Sequence, residues 1–440
     1  MKPIASTLVC AGCGWTAPPP EEVRYPFRCP KAGRGDIDHV VTRKLDPFRV
    51  EAVRGDDPNP FLRHRELTHA WHIARRRGLS DEAYAELVRR LDDAVGAVDG
   101  RGFRTTPLAR ADALSARLGF EAGGGVWVKD ETGNVSGSHK ARHLMGILLY
   151  LQVAERKEHP PLAIASCGNA ALAAAVLAKA AERPLEVFVP TDAEAPVLER
   201  LRALGARITV CPRVAGEAGD PCVLRFREAL AAGALPFCCQ GSENGLTIEG
   251  GELLAHEIIG QLGQAGLDHV VVQVGGGALA SSLVQGFRWA HRAALVGQLP
   301  RFHAVQTEGA WPLKRAWDLL QARIAADGEL TALERATKHR SEFMTPWETT
   351  PHSVAHGILD DETYDWLALV KGLLASRGSA VVADEATLRE ANTLAREATG
   401  IPVSHTGSAG LAGLLQLRRA GIVRPGEKAL VLFSGVAREA

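Results

Sequence analysis

The sequence lacks net charge and a long uninterrupted apolar run. Its 440 residues carry 51 Lys plus Arg against 51 Asp plus Glu, so no general electrostatic attraction draws the chain to nucleic acid or to an anionic membrane. The most apolar stretch, residues 162–181, is mostly alanine and is interrupted by polar side chains, which makes it a poor membrane span. We therefore expect no nucleic-acid partner and no membrane partner, and any bound anion must be held by a local site.

Cysteine is too sparse for a disulfide scaffold. Apart from one CxxC and one adjacent pair, the eight cysteines are scattered, which favours a reduced setting. The first residues do not show the apolar core and small-residue cleavage pattern of a secretory signal, and we expect a cytoplasmic protein. The composition, 46% hydrophobic and 23% charged, is that of an ordinary globular chain with two or three domains.

The chain divides into three parts by its sequence pattern. Residues 1–45 hold turn-forming residues and three of the cysteines and predict a small N-terminal module, while residues 46–104 predict a helical connector. In residues 105–440 short strands alternate with helices, which predicts mostly parallel sheets with helices on both faces. Of the two α/β subdomains expected there, the smaller one covers roughly 150–240. Residues 307–361 are predicted to be irregular, as a loop region or a cover over the site.

Four loops follow predicted strands, at the positions where such sheets bind ligands. The first places Lys140 before a helix, where it can form a Schiff base if its pKa is lowered by desolvation or by nearby cations such as Arg142. The second, residues 166–169, can bind a carboxylate at a helix start. The third, residues 275–279, brings three glycines to a helix start, where backbone N–H groups can approach a phosphate. The fourth ends in Ser434, whose hydroxyl can hydrogen-bond a ring nitrogen.

Each loop also has a plain structural explanation. Lys140 would be a solvated side chain, residues 166–169 an ordinary N-cap, the glycines a tight turn, and Ser434 a capping residue near the chain terminus. The glycine loop is not the GxGxxG pattern of nicotinamide enzymes, because its third glycine has the wrong spacing, and a nicotinamide dehydrogenase is therefore disfavoured. The four loops taken together carry the functional interpretation.

In this order the loops resemble the fold-type II pyridoxal-phosphate enzymes, the group that includes threonine synthase, threonine and serine dehydratases, cysteine synthase and the tryptophan synthase β subunit. Residues 129–142 (KDETGNVSGSHKAR) are similar to the family's lysine motif, residues 166–169 to its SxGN loop, and residues 275–277 to its phosphate loop. Residues 353–358 and 381–411 resemble C-terminal regions of the dehydratases and threonine synthases. The resemblance implies an α/β fold with two open, mostly parallel sheets flanked by helices, and a homodimer.

The resemblance also implies the site residues. Lys140 would hold pyridoxal phosphate as a Schiff base and then act as general base on the Cα proton. The cofactor would be bound by Asn169, Gly275, Gly276, Gly277, Ala278, Leu279 and Ser434. The substrate would be bound by Ser136, Ser138, His139, Ser166, Cys167 and Gly168. Departures from the family's usual residues cluster near this site and leave the substrate open; they are Val135, Ser136, His139, His143, His405 and Thr406.

The implied activity is that of a pyridoxal-phosphate-dependent lyase, with a Schiff base at Lys140, Cα deprotonation of a small amino acid and elimination of a β- or γ-leaving group. The glycine loop and Ser434 favour a serine or threonine dehydratase, whereas residues 247–250 and the N-terminal module favour a threonine synthase. A β-replacement enzyme of the cysteine synthase or tryptophan synthase kind is the alternative within the family. A catalytically silent regulatory or metal-binding protein on this fold is the alternative from another class.

The N-terminal cysteines form a separate motif. Cys10, Cys13 and Cys29 resemble the start of a zinc ribbon, and some threonine synthases begin with a similar segment. A structural zinc ion needs four ligands, but Ala32 stands where the second CxxC would end. The candidates for the fourth ligand are Asp36, Asp38 and His39. The alternative is a degenerate knuckle that folds without metal.

Overall fold

The computed structural model describes residues 5–155, 159–214 and 220–438, except the side chain of Gln264. Within these ranges twelve strands form three sheets. In chain order the strands are β1 (Ser6–Cys10), β2 (Val41–Leu45), β3 (Leu108–Arg110), β4 (Gly125–Asp130), β5 (Leu162–Ala165), β6 (Leu185–Val189), β7 (Arg207–Val210), β8 (Leu235–Pro236), β9 (His269–Gln273), β10 (Arg301–Thr307), β11 (Ser379–Ala383) and β12 (Lys428–Phe433).

Fifteen α-helices lie around the sheets in the described part of the chain. They are α1 (Pro60–Arg63), α2 (His69–Arg76), α3 (Asp81–Asp99), α4 (Asp112–Arg117), α5 (Lys140–Ala154), α6 (Asn169–Ala180), α7 (Ala195–Ala203), α8 (Pro221–Ala231), α9 (Thr247–Leu262), α10 (Ala278–Arg292), α11 (Pro312–Asp327), α12 (Glu329–Lys338), α13 (Trp366–Ser376), α14 (Glu385–Thr399) and α15 (His405–Arg419). Among those residues, no helix has both the length and the apolar character needed to cross a bilayer.

The large sheet has six strands in the order β11-β10-β9-β12-β4-β3. Every neighbouring pair is parallel except β3 and β4, which are antiparallel. Its central strands, HVVVQ in β9 and KALVLF in β12, are almost entirely buried. Such continuous apolar strands are typical of a parallel sheet whose two faces are both covered by helices.

The small sheet has four parallel strands in the order β7-β6-β5-β8. Helix α6 packs on it with an alanine-rich, buried sequence, NAALAAAVLAKA. Small side chains allow this helix to lie close to its neighbours, as interior packing at high density requires. The predicted architecture, two open and mostly parallel sheets flanked by helices, is confirmed. The domain boundaries at residues 45, 104, 150 and 240 stay a prediction.

Residues 307–361 are more regular than the sequence suggested, because they contain α11 and α12. Helix α11 buries Leu313, Ala316 and Leu320, a spacing of three and four residues that forms one apolar face. The prediction of an irregular segment was wrong there because the apolar residues of this face alternate along the sequence with charged residues of the opposite, more exposed side. The two tryptophans of the region, Trp311 and Trp347, pack edge to face with their ring centroids 5.2 Å apart.

The N-terminal module is an antiparallel pair, β1 and β2, that packs on the rest of the molecule. Arg43 forms ion pairs with Glu249 and Glu252 of α9. The indole N–H of Trp289 in α10 donates to the carbonyl of Leu45 over 3.2 Å. These contacts attach the module to helices that belong to the α/β region.

Candidate active site

Three adjacent strands of the large sheet end at one edge, and the loops after them form the candidate site. Strand β4 leads to Lys140, β9 leads to the glycine loop (residues 275–277), and β12 leads to Ser434. The carboxyl ends of parallel strands meet at the same edge, so these loops are neighbours. The loop at 166–169 follows β5 of the small sheet and reaches the same place, since a Cβ added to Gly435 would lie 2.9 Å from the Asn169 side-chain amide. The four loops singled out in the sequence therefore meet.

The loop before Lys140 is attached to the end of the C-terminal strand. Ser138 forms an isolated antiparallel bridge with Gly435. The backbone N–H of His139 donates to the carbonyl of Ser434 over 3.1 Å. Lys140 is then the first residue of α5. Because the chain is fixed on both sides of the lysine, its side chain starts from a defined position at the edge of the sheet.

Ser136 occupies a strained turn in this loop, with a φ of 54°. Its N–H donates to Asp99 at the end of α3 over 2.9 Å, and its carbonyl accepts from Arg438 over 2.8 Å. Its hydroxyl is buried without a protein hydrogen-bond partner. These contacts fix the backbone of Ser136, and its binding of substrate stays a prediction.

Two buried histidines flank Lys140, and burial lowers the pKa of His143 to about 3 and that of His139 well below its usual value. Each ring uses Nδ1 on a backbone carbonyl, at 3.1 Å from Ser434 and 2.7 Å from Thr247. A carbonyl only accepts, so Nδ1 carries the hydrogen in both rings. The Nε2 atoms are buried acceptors without a protein partner. The neutral charge state favours packing of both rings over binding of an anion, and substrate binding by His139 stays a prediction.

The guanidinium of Arg142 is held in a buried ion network. It lies 2.7 Å from Glu131 and 2.5 Å from Glu257, and all three side chains are at most 1% exposed. Lys129 also pairs with Glu257, over 2.9 Å. Two carboxylates thus compensate two cations. Arg142 is therefore a charge-compensated member of this network and not a free cation at the site.

Ser434 has a partner that the sequence analysis missed. Gln273, the last residue of β9, donates from Nε2 to the Ser434 hydroxyl over 2.5 Å and to the carbonyls of Gly407 and Leu432 over 2.8 and 3.2 Å. Because the oxygen of the Ser434 hydroxyl accepts from Gln273, the hydrogen of that hydroxyl stays free to be donated to a ligand atom. The only signal in the sequence was a polar residue at the end of an apolar strand.

A segment after α12, residues 356–365, lies across the glycine loop. The hydroxyl of Thr363 donates to the carbonyl of Gly275 over 2.9 Å, and the N–H of Tyr364 donates to the carbonyl of Gly276 over 2.9 Å. A Cβ added to either glycine would clash with this segment. The glycines are therefore required here for close approach of two backbones, in addition to any ligand that the loop binds.

Asp360, within this segment, is the second residue that the sequence analysis missed. Its carboxylate lies directly against Gly275 and Gly276, so that a Cβ added to Gly275 would clash with it. Burial raises the pKa of Asp360, and the main opposing influence is the positive charge of Lys140. The thiol of Cys239 shares this environment, and burial raises its pKa despite Lys140. The site thus combines an amine, a carboxyl group and a neutral thiol.

The loop at 166–169 is half-buried and open toward solvent. A Cβ added to Gly168 would meet no atom within 4 Å. Asn169 begins α6, and its side-chain oxygen accepts from the guanidinium of Arg438. Burial raises the pKa of Cys167, which keeps its thiol neutral. The open backbone at a helix start is the geometry that a substrate carboxylate needs.

Residues 101–435 match the family model described as "Pyridoxal-phosphate dependent enzyme". The chain belongs to this family. Over 331 residues it is 24% identical to a threonine synthase of Methanocaldococcus jannaschii, covering 75% of this chain and 74% of that protein. Over 240 residues it is 28% identical to a rat protein named serine dehydratase-like, covering 53% and 65%. It also shares the fold of the processed threonine deaminase isoform 2 from Solanum lycopersicum, with a TM-score of 0.59, 19% identity and coverage of 82% and 91%.

The predicted family, fold class and enzyme class, a pyridoxal-phosphate-dependent lyase, are confirmed by these comparisons. Pyridoxal phosphate, the predicted cofactor, is that of the family. The roles of the individual site residues stay predictions. Whether pyridoxal phosphate fits this chain is judged from the groups that these residues present to it.

The site fits the cofactor in two respects and opposes it in one. Gly277, with a φ of 99°, precedes α10, and the first N–H groups of a helix have no intrahelical partner, which suits a phosphate. The Ser434 hydroxyl has a hydrogen to donate to the ring. The Asp360 carboxylate, however, lies against Gly275 and Gly276 in the same loop. A phosphate beside it would raise the pKa of Asp360 further, so the two groups fit together when the carboxyl group is protonated.

Proposed function

We propose that this pyridoxal-phosphate enzyme eliminates a small, uncharged leaving group from a β-hydroxy amino acid such as L-serine or L-threonine. The observation that carries this proposal is the carboxyl group of Asp360, which lies against the glycine loop and has its pKa influenced by the charge of Lys140. A carboxyl group with a raised pKa can protonate a departing hydroxyl. A phosphorylated substrate such as O-phosphohomoserine would bring a second phosphate close to the cofactor phosphate, which Coulomb repulsion opposes. A dehydratase-like reaction is therefore favoured over one with a phosphorylated substrate.

Lys140 is proposed to bind the cofactor and, once released by substrate, to hold the Cα proton on Nζ. Pyridoxal phosphate, when bound, supplies the electron sink for this proton loss. The backbone N–H groups of residues 166–169 would bind the substrate carboxylate, and Asn169 would contact the cofactor ring. The first turn of α10 would bind the phosphate. Asp360 would then place a proton on the leaving hydroxyl.

Ser434 would determine which of the family's reactions follows. A hydroxyl donates a hydrogen bond to the ring nitrogen but does not protonate it, because a serine hydroxyl is not acidic. Because Ser434 would leave the ring nitrogen unprotonated, the bound cofactor would be a weaker electron sink. This favours prompt loss of a β-leaving group over racemisation. Gln273 supports this role. Its side-chain amide donates to the oxygen of the Ser434 hydroxyl, so the hydroxyl hydrogen stays available for the ring nitrogen.

Threonine synthase activity is the second candidate. The threonine synthase of Methanocaldococcus jannaschii aligns with 75% of this chain, a longer match than the one to the rat serine dehydratase-like protein. The substrate would then be a phosphorylated amino acid, which requires protonation or displacement of Asp360. A β-replacement reaction remains the alternative within the family. A homodimer is expected by resemblance alone.

Substrate panels with the purified holoenzyme test the proposal. With L-serine or L-threonine we expect a keto acid and ammonia, measured by a coupled assay. Asp360→Asn should lower kcat by about 100-fold with a smaller effect on KM, because general acid catalysis contributes about 10²–10⁴-fold. Asp361→Asn is the matched control, since no contact joins that side chain to the glycine loop, and its kcat should be near that of the parent.

Two outcomes would contradict the proposal. The first is formation of threonine and inorganic phosphate from O-phosphohomoserine, with no keto acid from L-serine or L-threonine. This result would establish threonine synthase activity instead. A protein that stays colourless with added pyridoxal phosphate would contradict the role of Lys140. The visible band of the holoenzyme should be lost in Lys140→Ala.

A further inference from the structure

The N-terminal module brings four metal-ligating side chains together. The ligand atoms of Cys10, Cys13, Cys29 and His39 all lie within 4.8 Å of one another. The sulfurs of Cys13 and Cys29 are 3.7 Å apart, and the sulfur of Cys10 is 3.4 Å from Nδ1 of His39. Tetrahedral zinc with Zn–S bonds of about 2.3 Å separates two sulfur ligands by about 3.8 Å. The four atoms are thus spaced as a zinc coordination shell requires.

The two other candidates for the fourth ligand are engaged elsewhere. The carboxylate of Asp36 accepts from the N–H and the hydroxyl of Ser341, over 2.9 and 2.7 Å. Asp38 forms an ion pair with Arg340 over 3.3 Å. Both carboxylates therefore contact residues 340–341, directly after α12. His39 is the residue of this stretch that faces the cysteines.

Gly12 explains how the CxxC turn reaches His39. A Cβ at this position would clash with the backbone carbonyl of Asp38. Only glycine at position 12 thus allows residues 10–13 to lie directly against residues 38–40. The N–H of Ala11 donates to the carbonyl of Val40 over 2.8 Å, which fixes this approach.

We propose that Cys10, Cys13, Cys29 and His39 bind one structural zinc ion. Three thiolates and one imidazole complete a tetrahedron and leave no open position, as in structural rather than catalytic zinc sites. Soft sulfur ligands in tetrahedral geometry favour zinc over magnesium or calcium. The ion would join the end of β1, the loop at residue 29 and the chain before β2. This site lies outside the proposed active site and does not depend on its function.

Elemental analysis of the full-length holoenzyme, purified under reducing conditions without chelator, tests this proposal. We expect about one zinc per chain. Cys13→Ser should lose most of the zinc, whereas Cys211→Ser, which changes a buried cysteine of the small-sheet region, should retain it. His39→Cys should also keep zinc, because thiolate replaces imidazole as a ligand. That variant separates loss of a ligand from failure to fold.

Cobalt provides a second measurement on the parent protein. After zinc removal, Co²⁺ should produce the intense long-wavelength absorption of tetrahedral thiolate coordination, at a stoichiometry of one. Three results would overturn the proposal. These are a chain without stoichiometric zinc after growth with added zinc, a featureless cobalt titration, or a Cys13–Cys29 disulfide found by mass spectrometry of the freshly isolated protein.

Discussion

Buried carboxyl groups in this chain differ in whether a cation compensates them. Glu131 and Glu257 each contact the guanidinium of Arg142. Asp365, before α13, is 1% exposed, and neither of its carboxylate oxygens has a side-chain or backbone partner that satisfies hydrogen-bond geometry. Burial and the nearby charge of Asp38 raise its pKa from 3.8 to about 7. An uncompensated acid of this kind makes stability depend on pH.

We predict that Asp365→Asn is stabilising at high pH. A raised pKa in the folded state favours the protonated acid, so its stabilising contribution is present below pH 3.8 and is lost as the pH rises through about 7. Asn does not ionise, so the Asp365→Asn variant does not lose stability over this pH range. Its free energy of unfolding should exceed that of the parent by about 2–4 kcal/mol at alkaline pH. Urea unfolding at acidic and at alkaline pH measures the difference in free energy of unfolding between variant and parent. The same difference at both pH values would contradict the raised pKa of Asp365.

Among the elements, helices α5 and α9 approach unusually closely. A Cβ added to Gly146 of α5 would lie 2.9 Å from the Cα of Gly250, and one added to Gly250 of α9 would clash with the carbonyl of Arg142. Gly251 makes room in the same way for the ring of His143. Since α5 begins at Lys140, this contact sets the position of the helix that carries the candidate catalytic lysine.

We predict that Gly250→Ala destabilises the protein by about 1–3 kcal/mol, the usual cost of overpacking a dense contact. It should also weaken pyridoxal-phosphate binding, because α5 has to shift. Gly260→Ala is the matched control on the same helix, where an added Cβ meets nothing within 4 Å and alanine raises helix propensity. Thermal unfolding and cofactor titration measure both effects. Equal stability of the two variants would contradict the close packing.

Across the whole molecule, one ion network links elements that are distant in sequence. Arg142 of α5 joins Glu131, which follows β4, to Glu257 of α9. Lys129 of β4 and the hydroxyl of Thr106 complete the network. A network of this kind is costly to break, because removal of one member leaves buried charges without partners.

We predict that Arg142→Met lowers the free energy of unfolding by about 3–5 kcal/mol, since Glu131 loses its buried cation. The control is Arg117→Met, which breaks an ion pair with Glu397 whose side chains are 49% and 58% exposed. Exposed pairs contribute about 0–1 kcal/mol. Chemical denaturation of both variants gives the comparison. A loss below about 1 kcal/mol for Arg142→Met would show that the network is not required for stability.

Prediction from the sequence was strongest where the signal is local. Alternating strands and helices, and loops such as the one before Lys140, are read within about ten residues, and they led to the fold class and to the four loops. The helical face of α11 was missed because its apolar residues alternate along the sequence with charged residues of the exposed side. The pairing of Arg142 with Glu257 could not be predicted from a local pattern, because the two residues are 115 positions apart.

The sequence by itself determined the alternation of strands and helices, because hydrophobic periodicity is a property of short segments. Its motifs also carried the resemblance that implied the family, the cofactor and the two-sheet architecture. Only the tertiary structure decided which side chains meet. Gln273 reaches Ser434, Asp360 reaches the glycine loop, and His39 rather than Asp36 completes the cysteine cluster. These pairs depend on strand order and loop path, which bring distant residues together at one edge of the sheet, and no local pattern encodes that geometry.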